Sequence, residues 1–435
     1  MLLYISMFYI MIIMQKVILA GIDNEQENFE YTMSELDSLA YANNMETTRI
    51  FRQKLERPIA ATYLGKGKAE EIKLASENTG STTLIVNDEL TPTQIRNLEN
   101  ITQLRVLDRT ALILEIFASR AKTKEAKLQV EVARLQYQLP RLHTSATDKL
   151  DQQTSGNAGG GYTNRGAGET KLELNRRVIE KKISALKKEL KVIDKEHDLR
   201  QRKRQRSGLK TVALVGYTNA GKSTTLNGLL RLFGQAKEKE VFEKDMLFAT
   251  LDTSVRKLHF PDNKEILLSD TVGFVSKLPH QLVKAFQTTL AEASSADLLI
   301  QVVDLSDEHY QEMIETTEQT LKEIGVTDVP MIYAFNKADK LNIEYPTLTG
   351  KDLTFSARDE ASLKALADLI KHELFKDHET HTYLIPFDKG RLVENLNQDA
   401  NVLETKYLEI GTQITAEVSP MLAGRLSPYL ISEEG

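Results

Sequence analysis

The run Thr211-Val212-Ala213-Leu214-Val215 is a short stretch of β-forming side chains. It leads into Gly216-Tyr217-Thr218-Asn219-Ala220-Gly221-Lys222-Ser223 and then directly into the helix-like residues 224–232. A buried strand that turns through G-x-x-x-x-G-K-S into a helix points to an α/β fold built on a parallel sheet, of the P-loop type. In such a turn successive backbone N–H groups and the helix N-terminus surround phosphate oxygens. Lys222 is expected to reach the β and γ oxygens and the Ser223 hydroxyl to ligate Mg²⁺, with Gly216 to Thr224 lining the nucleotide. The motif specifies a nucleoside triphosphate but not its base.

The base is specified further along. Asn336-Lys337-Ala338-Asp339 follows the strand-like residues 330–335. Guanine presents two adjacent donors, N1–H and N2–H₂, that one carboxylate can accept together, so Asp339 is expected to read them. Asn336 would support the loop and Lys337 cover the ring plane. Adenine has no such donor pair and would leave the carboxylate unsatisfied. Ser356-Ala357-Arg358, after the strand-like residues 353–355, is expected to add a backbone donor for guanine O6. Two segments between these motifs complete a GTP and Mg²⁺ site. Asp270-Thr271-Val272-Gly273 supplies a carboxylate that holds the metal through water and, in Gly273, an N–H that senses the γ-phosphate. Phe248-Ala249-Thr250-Leu251-Asp252 offers Thr250 as the second hydroxyl ligand, with Thr253 its rival. Lys222, Thr250 and Gly273 are thus the expected catalytic residues. Ras-like enzymes place a water-orienting glutamine directly after this glycine, whereas here Phe274 follows, so slow intrinsic hydrolysis is expected. His280 reads as a surface or packing histidine rather than a base.

A chain of 435 residues implies three or four domains. It contains no cysteine, which excludes disulfides, thiolate metal sites and cysteine nucleophiles. Residues 1–14 are apolar but too short to span a bilayer, and no positive charge precedes them as in a secretory signal. They read as an extension or an upstream start ahead of a cytoplasmic, monomeric protein with no stable membrane association; a membrane anchor is the alternative. Residues 15–109 alternate β-rich and helix-like runs, as a small α/β layer does. Within them Gly65-Lys66-Gly67-Lys68 reads as a plain strand-to-helix turn, with a phosphate contact as the alternative.

Residues 110–208 read as a helical hairpin. Leu128, Val132, Leu135 and Leu139 form one seam, and Ile179, Ile183, Leu186, Leu190 and Ile193 another. Pro140 should end the first helix, and a glycine-rich loop over about 151–168 should join the two. Charge is concentrated here: residues 171–206 hold 14 Lys/Arg against 6 Asp/Glu, a local +8 in a chain of net −6. Such a hairpin can enter a crevice in folded RNA. Its tip would offer Gly160, Gly161, Arg165 and Gly166, and the basic helix end Arg200, Arg202, Lys203, Arg204 and Arg206. A flexible linker beside a solvated helix face is the alternative. The GTPase domain should run over 209–376, and a small α+β module of one strand, a helix and two strands over 377–435.

Together these motifs resemble the HflX-type GTPases, of the Obg-HflX group within the translation-factor-related P-loop class. The resemblance covers nearly all the chain after Gln15. It is carried by residues 61–68, Val106-Leu107-Asp108-Arg109-Thr110, residues 127–131 and 139–142, Arg165-Gly166-Ala167-Gly168-Glu169, the P-loop, residues 248–252, and 270–274 with Leu278-Pro279-His280. The family implies large-subunit binding with the hairpin loop directed toward the peptidyl-transferase centre. It also implies splitting of stalled or idle 70S ribosomes, notably under heat stress, with hydrolysis stimulated by the ribosome. A hydrophobic residue at Phe274 fits the family. The chain departs from its pattern at Tyr162-Thr163-Asn164, at Ala167 where proline is usual, and at Thr253-Ser254-Val255. The rival expectation is a non-splitting rRNA-binding assembly or storage factor that uses GTP as a structural ligand.

Overall fold

The structure, a computed structural model, describes residues 14–25, 28–142, 164–206, 209–234, 246–248, 254–279, 282 and 291–431. The chain forms two compact units. The first takes residues 1–196 with the segments 245–251 and 276–286, and the second takes 197–244, 252–275 and 287–435.

In the first unit, β1 (Gln15–Asp23), β2 (Met45–Lys54), β3 (Thr83–Val86) and β4 (Arg105–Asp108) form a parallel sheet in the order β2-β1-β3-β4. The connections are α1 (Phe29–Ala42), α2 (Lys66–Thr79) and α3 (Pro92–Thr102). The inner strands β1 and β3 are the apolar runs that covered helices require, with Ile18, Ala20, Leu84 and Val86 buried. The sequence reading did not identify β2. It is an edge strand whose polar side chains face out, so it lacks the apolar run of a buried strand. Gly65 caps α2 without a side-chain bond and Lys68 pairs with Glu71 at 2.6 Å, as in a plain turn.

Helix α4 (Arg109–Arg120) follows β4 directly and leads to α5 (Lys124–Gln138) and the long α6 (Asn164–Arg206). Helices α5 and α6 pair as an antiparallel hairpin through Val132, Leu135 and Ile183, with Ile179, Leu186 and Leu190 packed beside them. The direction is marked by Lys124–Glu189 at 2.5 Å and Lys182–Glu131 at 2.6 Å. As expected from Pro140, α5 stops at Gln138, ahead of a 3₁₀ turn over Leu139–Arg141. The glycine loop ends earlier than the sequence reading placed it. Helix α6 starts at Asn164, so Arg165, Gly166 and Gly168 lie in its first turns. Extending a formed helix by one residue costs little, and a glycine subtracts only about 1 kcal/mol. Gly160 and Gly161 lie outside the described residues, while Arg200, Arg202, Lys203, Arg204 and Arg206 fall on the last turns of α6.

The second unit holds a seven-stranded sheet in the order β10-β11-β9-β8-β5-β7-β6. Its strands are β5 (Lys210–Val215), β6 (Ser254–His259), β7 (Glu265–Asp270), β8 (Leu298–Asp304), β9 (Met331–Asn336), β10 (Thr347–Thr349) and β11 (Asp352–Thr354). All pairings are parallel except those of the edge strands β6 and β10. Around it run α7 (Lys222–Phe233), α8 (Ala291–Ser294), α9 (Tyr310–Glu323) and α10 (Glu360–Leu374). Because β5, β7, β8, β9 and β11 are parallel, the loops after all five leave from one edge of the sheet, where open α/β sheets bind ligands.

The C-terminal module pairs β12 (Glu379–Ile385), β14 (Gly411–Val418) and β13 (Asn401–Leu408) antiparallel in that order, with α11 (Gly390–Asp399) and an unanticipated α12 (Pro420–Leu426). Tyr383, Ile385, Leu396, Ile414 and Leu426 form its core. It is fastened to the seven-stranded sheet through Lys264–Glu417 at 2.6 Å, and Asn263 Nδ2 donates to the carbonyls of Asn397 and Ala400. No helix among the described residues is long and apolar enough to cross a membrane.

Candidate nucleotide site

Between β5 and α7 the backbone takes two turns that only glycine fits. Gly216 has φ +141°, and a Cβ there would stand 2.3 Å from the Val302 carbonyl of β8. Gly221 has φ +97°, and its Cβ would stand 2.1 Å from the Asn336 side-chain nitrogen. Asn219, between them, takes φ +62°. The loop therefore wraps tightly, and Lys222, the first residue of α7, folds back inside it. Its Nζ donates to the carbonyls of Gly216 at 2.9 Å and Tyr217 at 2.7 Å. Burial pushes the Lys222 ammonium down to about 8, against the opposing pull of the Asp270 carboxylate. A cation held out of water in a loop of amides is suited to an anion that would share its charge.

Ser223, the next residue on α7, donates its hydroxyl to Asp270 Oδ2 at 2.7 Å from the end of β7. A hydroxyl and a carboxylate in contact are hard oxygen donors, the kind Mg²⁺ prefers alongside its retained waters and phosphate oxygens. Thr271 Oγ1 donates to the Leu214 carbonyl at 2.7 Å, fixing β7 to β5 just before Gly273. A Cβ at Gly273 would stand 2.8 Å from Thr218 and 2.9 Å from Lys222 Nζ, so this glycine lies against the loop. Phe274 is joined to the same loop by its main chain: its N–H donates to Gly216 O at 3.2 Å and its carbonyl accepts from the Thr218 N–H at 2.8 Å. Its ring is buried, at 1% exposure, and has no means of orienting a water molecule.

The residues expected to read the base converge from β9 and β11. The buried Asn336 amide bridges two loops: Nδ2 donates to Ala220 O and Oδ1 accepts from the Ala357 N–H, both at 2.9 Å. Ala338 N–H donates to Phe355 O, tying the loop after β9 to the segment after β11. Lys337 takes the left-handed conformation and its Nζ bonds Asp304 Oδ2 at 2.6 Å. Asp339 is exposed, with Oδ1 accepting from Ser356 Oγ at 2.7 Å, and Ser356 Oγ in turn accepts from the Arg358 N–H at 3.3 Å. An acceptor-only carboxylate, oriented by a hydroxyl and open to its surroundings, suits a paired donor edge.

The structure thus brings together residues 216–224, 270–274, 336–339 and 356–358. Ala249, Thr250, Leu251, Asp252 and Thr253 lie outside the described residues, as does His280. Phe248 is described in the first unit, where its ring meets Phe117 edge-on at 4.6 Å. The sequence reading missed Asp304, the partner of Lys337. Its signal was the parallel register in which the end of β8 stands beside Asn336.

Family models cover most of the chain. Residues 30–118 match one described as GTP-binding GTPase N-terminal, 120–204 one described as GTP-binding GTPase Middle Region, and 211–337 one described as 50S ribosome-binding GTPase. The GTPase HflX of Caldanaerobacter subterraneus subsp. tengcongensis is 42% identical over 418 residues, 96% of this chain and 94% of that protein. The GTPase HflX of Escherichia coli strain K12 is 35% identical over 410 residues, 93% of each. Among solved structures, a GTP-binding protein from the archaeon Sulfolobus solfataricus in complex with GDP is 26% identical. That likeness covers 83% of this chain and 99% of that one, with a TM-score of 0.44.

Proposed function

The chain belongs to the HflX family of GTPases and is a GTP hydrolase, and from that premise we propose that it binds the large ribosomal subunit and splits 70S ribosomes, its hydrolysis stimulated by the ribosome. The observation that carries the nucleotide part is the double bridge of Asn336, which locks the phosphate loop to the base-reading loops while leaving the Asp339 carboxylate open. Ser223 would ligate Mg²⁺ directly, with Thr250 as the second hydroxyl and Asp270 acting through water. When bound, the ion neutralises charge developing between the β and γ phosphates.

Lys222 would give up its two carbonyl partners for phosphate oxygens, and the Gly273 N–H would meet the γ-phosphate. Nothing in residues 270–277 replaces a water-orienting glutamine, since Phe274 spends its main chain on the phosphate loop and buries its ring. The reading is therefore of slow turnover that a partner accelerates. The paired α5 and α6, with the basic end of α6, support an rRNA contact by shape and charge.

The test is GTP turnover with and without purified 50S subunits, for wild type, Lys222→Ala and a chain in which residues 151–163 are replaced by a short Gly-Ser linker. That replacement stops before α6 and so spares the hairpin seam. Stimulation of the wild type, loss with Lys222→Ala and uncoupling with the linker chain are expected. Unchanged turnover in the presence of 50S subunits overturns the ribosomal part. In sedimentation, a 70S peak that persists with GTP favours the assembly or storage reading instead.

A further inference from the structure

The motif Val106-Leu107-Asp108-Arg109-Thr110 has no part in the nucleotide site, yet its arginine is the bulkiest fully buried side chain among the described residues. Arg109 is the first residue of α4. Its Nη1 donates to Asn87 Oδ1 at 3.0 Å, and its Nη2 pairs with Glu35 of α1. The same Nη2 donates to both the carbonyl and the hydroxyl of Ser276, each at 3.0 Å. Glu35 completes the grip by accepting from the Ser276 N–H at 3.3 Å and bonding its hydroxyl. Lys277, at φ +51°, bonds Asp88 at 2.8 Å. Ser276 and Lys277 stand three and four residues after Gly273, where the chain has just left the second unit for the first.

The other end of α4 receives a second segment. Phe117 packs edge-on against Phe248, and Arg120 donates to the Met246 sulfur at 2.9 Å. Phe248 stands two residues before Thr250. One helix of the first unit thus seats both the segment that leads to Thr250 and the segment that leaves Gly273.

A buried ion pair is weak evidence for stability, because apolar residues of the same volume often do as well. What the pair Arg109–Glu35 supplies that an apolar pair does not is complementary donors and acceptors for every polar group of Ser276. A guanidinium is needed for this, since its rigid fork serves Asn87, Glu35 and Ser276 at once and an ammonium cannot. We propose that Arg109 is a positioning residue for GTP hydrolysis: acting through Ser276, it fixes the chain that follows Gly273, and α4 carries the nucleotide's state into the first unit. The proposal rests on Gly273 as the γ-phosphate donor. GDP does not present that contact, so loosening the grip should affect GTP and spare GDP.

The experiment measures affinity for a non-hydrolysable GTP analogue and for GDP, with single-turnover hydrolysis, in full-length wild type, Arg109→Lys, Ser276→Ala and Phe117→Leu chains. Arg109→Lys should lower the analogue-to-GDP affinity ratio and the single-turnover rate by roughly fivefold or more, with GDP affinity little changed. Ser276→Ala keeps the two main-chain bonds and should shift the ratio the same way by less. It carries the test if Arg109→Lys does not fold. Phe117→Leu should also lower the ratio, from the other end of the helix. Ratios unchanged in Arg109→Lys and Ser276→Ala overturn the proposal. So does a parallel fall in both affinities with a lower melting temperature, which is the mark of a purely structural residue. A wild type that fails to prefer GTP over ATP would instead overturn the assignment of the nucleotide site.

Discussion

Replacing Asn336 by alanine tests the double bridge on which the nucleotide site is built. The side chain is buried, at 3% exposure, and satisfies the Ala220 carbonyl and the Ala357 N–H at 2.9 Å each. It also fills the space that a Cβ on Gly221 would take. Alanine leaves both main-chain groups without these bonds, at about 1–3 kcal/mol for each buried orphan, so a loss of about 3 kcal/mol is expected. With a urea dependence of about 2 kcal/mol/M, the unfolding midpoint of the second unit should fall by about 1.5 M. Asn336→Asp sharpens the test. It keeps an acceptor for Ala357 but turns the donor facing Ala220 O into a buried anion opposite a carbonyl, so it should destabilise at least as much as alanine. Both variants should also bind GDP more weakly. An aspartate chain as stable as wild type, or an alanine chain within about 0.5 kcal/mol of it, would refute the bridge as the element that holds the site together.

Gly216→Ala places a side chain at φ +141° and 2.3 Å from a backbone oxygen that cannot swing away, so it should abolish GDP binding even where protein is recovered, as calorimetry would show. The Lys222 ammonium, pushed down to about 8, is lost from the free site as pH rises, whereas bound phosphates hold the proton. Nucleotide affinity should therefore fall about tenfold between pH 7 and 9 relative to a Lys222→Arg chain, whose guanidinium does not titrate there. Equal slopes in the two chains would contradict this. Asp339→Asn exchanges one acceptor for a donor. It should cost about 100-fold or more in GTP affinity and let the chain take a purine with a carbonyl at C2, so competition by XTP is the measurement.

The parts of this molecule that were legible in its sequence are those in which one short segment carries both its fold and its chemistry. Thr211 to Ser223 spells a strand, a turn that requires glycine at two positions and a helix start, and the structure ends β5 at Val215 and starts α7 at Lys222. Asn336 to Asp339 was legible for the same reason, with β9 ending on the residue that begins the motif. The seam of Ile179, Ile183, Leu186 and Leu190 identified the hairpin, because a helix face is written at fixed spacing. Strand β2 escaped because an edge strand satisfies its backbone on one side and needs no apolar run. The start of α6 escaped because helix propagation tolerates Gly166 and Gly168 once the seam is formed.

What periodicity and spacing do not write is which unit a segment joins. The chain crosses from one unit to the other between Val275 and Ser276, and the nearby Gly273 and Pro279 do not single out that bond. Ser276 is held by Arg109 from 167 residues away. The nearest sequence signal was a charged pair, Asp108-Arg109, set between the apolar Val106-Leu107 and the buried Leu112-Ile113, where an unpaired cation would be too costly to keep. Such a pair announces that a polar partner exists without saying where. Of its partners, Asn87 holds the guanidinium in place, Glu35 holds both the guanidinium and Ser276, and Ser276 lies in the segment that leaves Gly273. The chain that leaves Gly273 therefore meets the buried, hydrogen-bonded Arg109 within three residues, at Ser276.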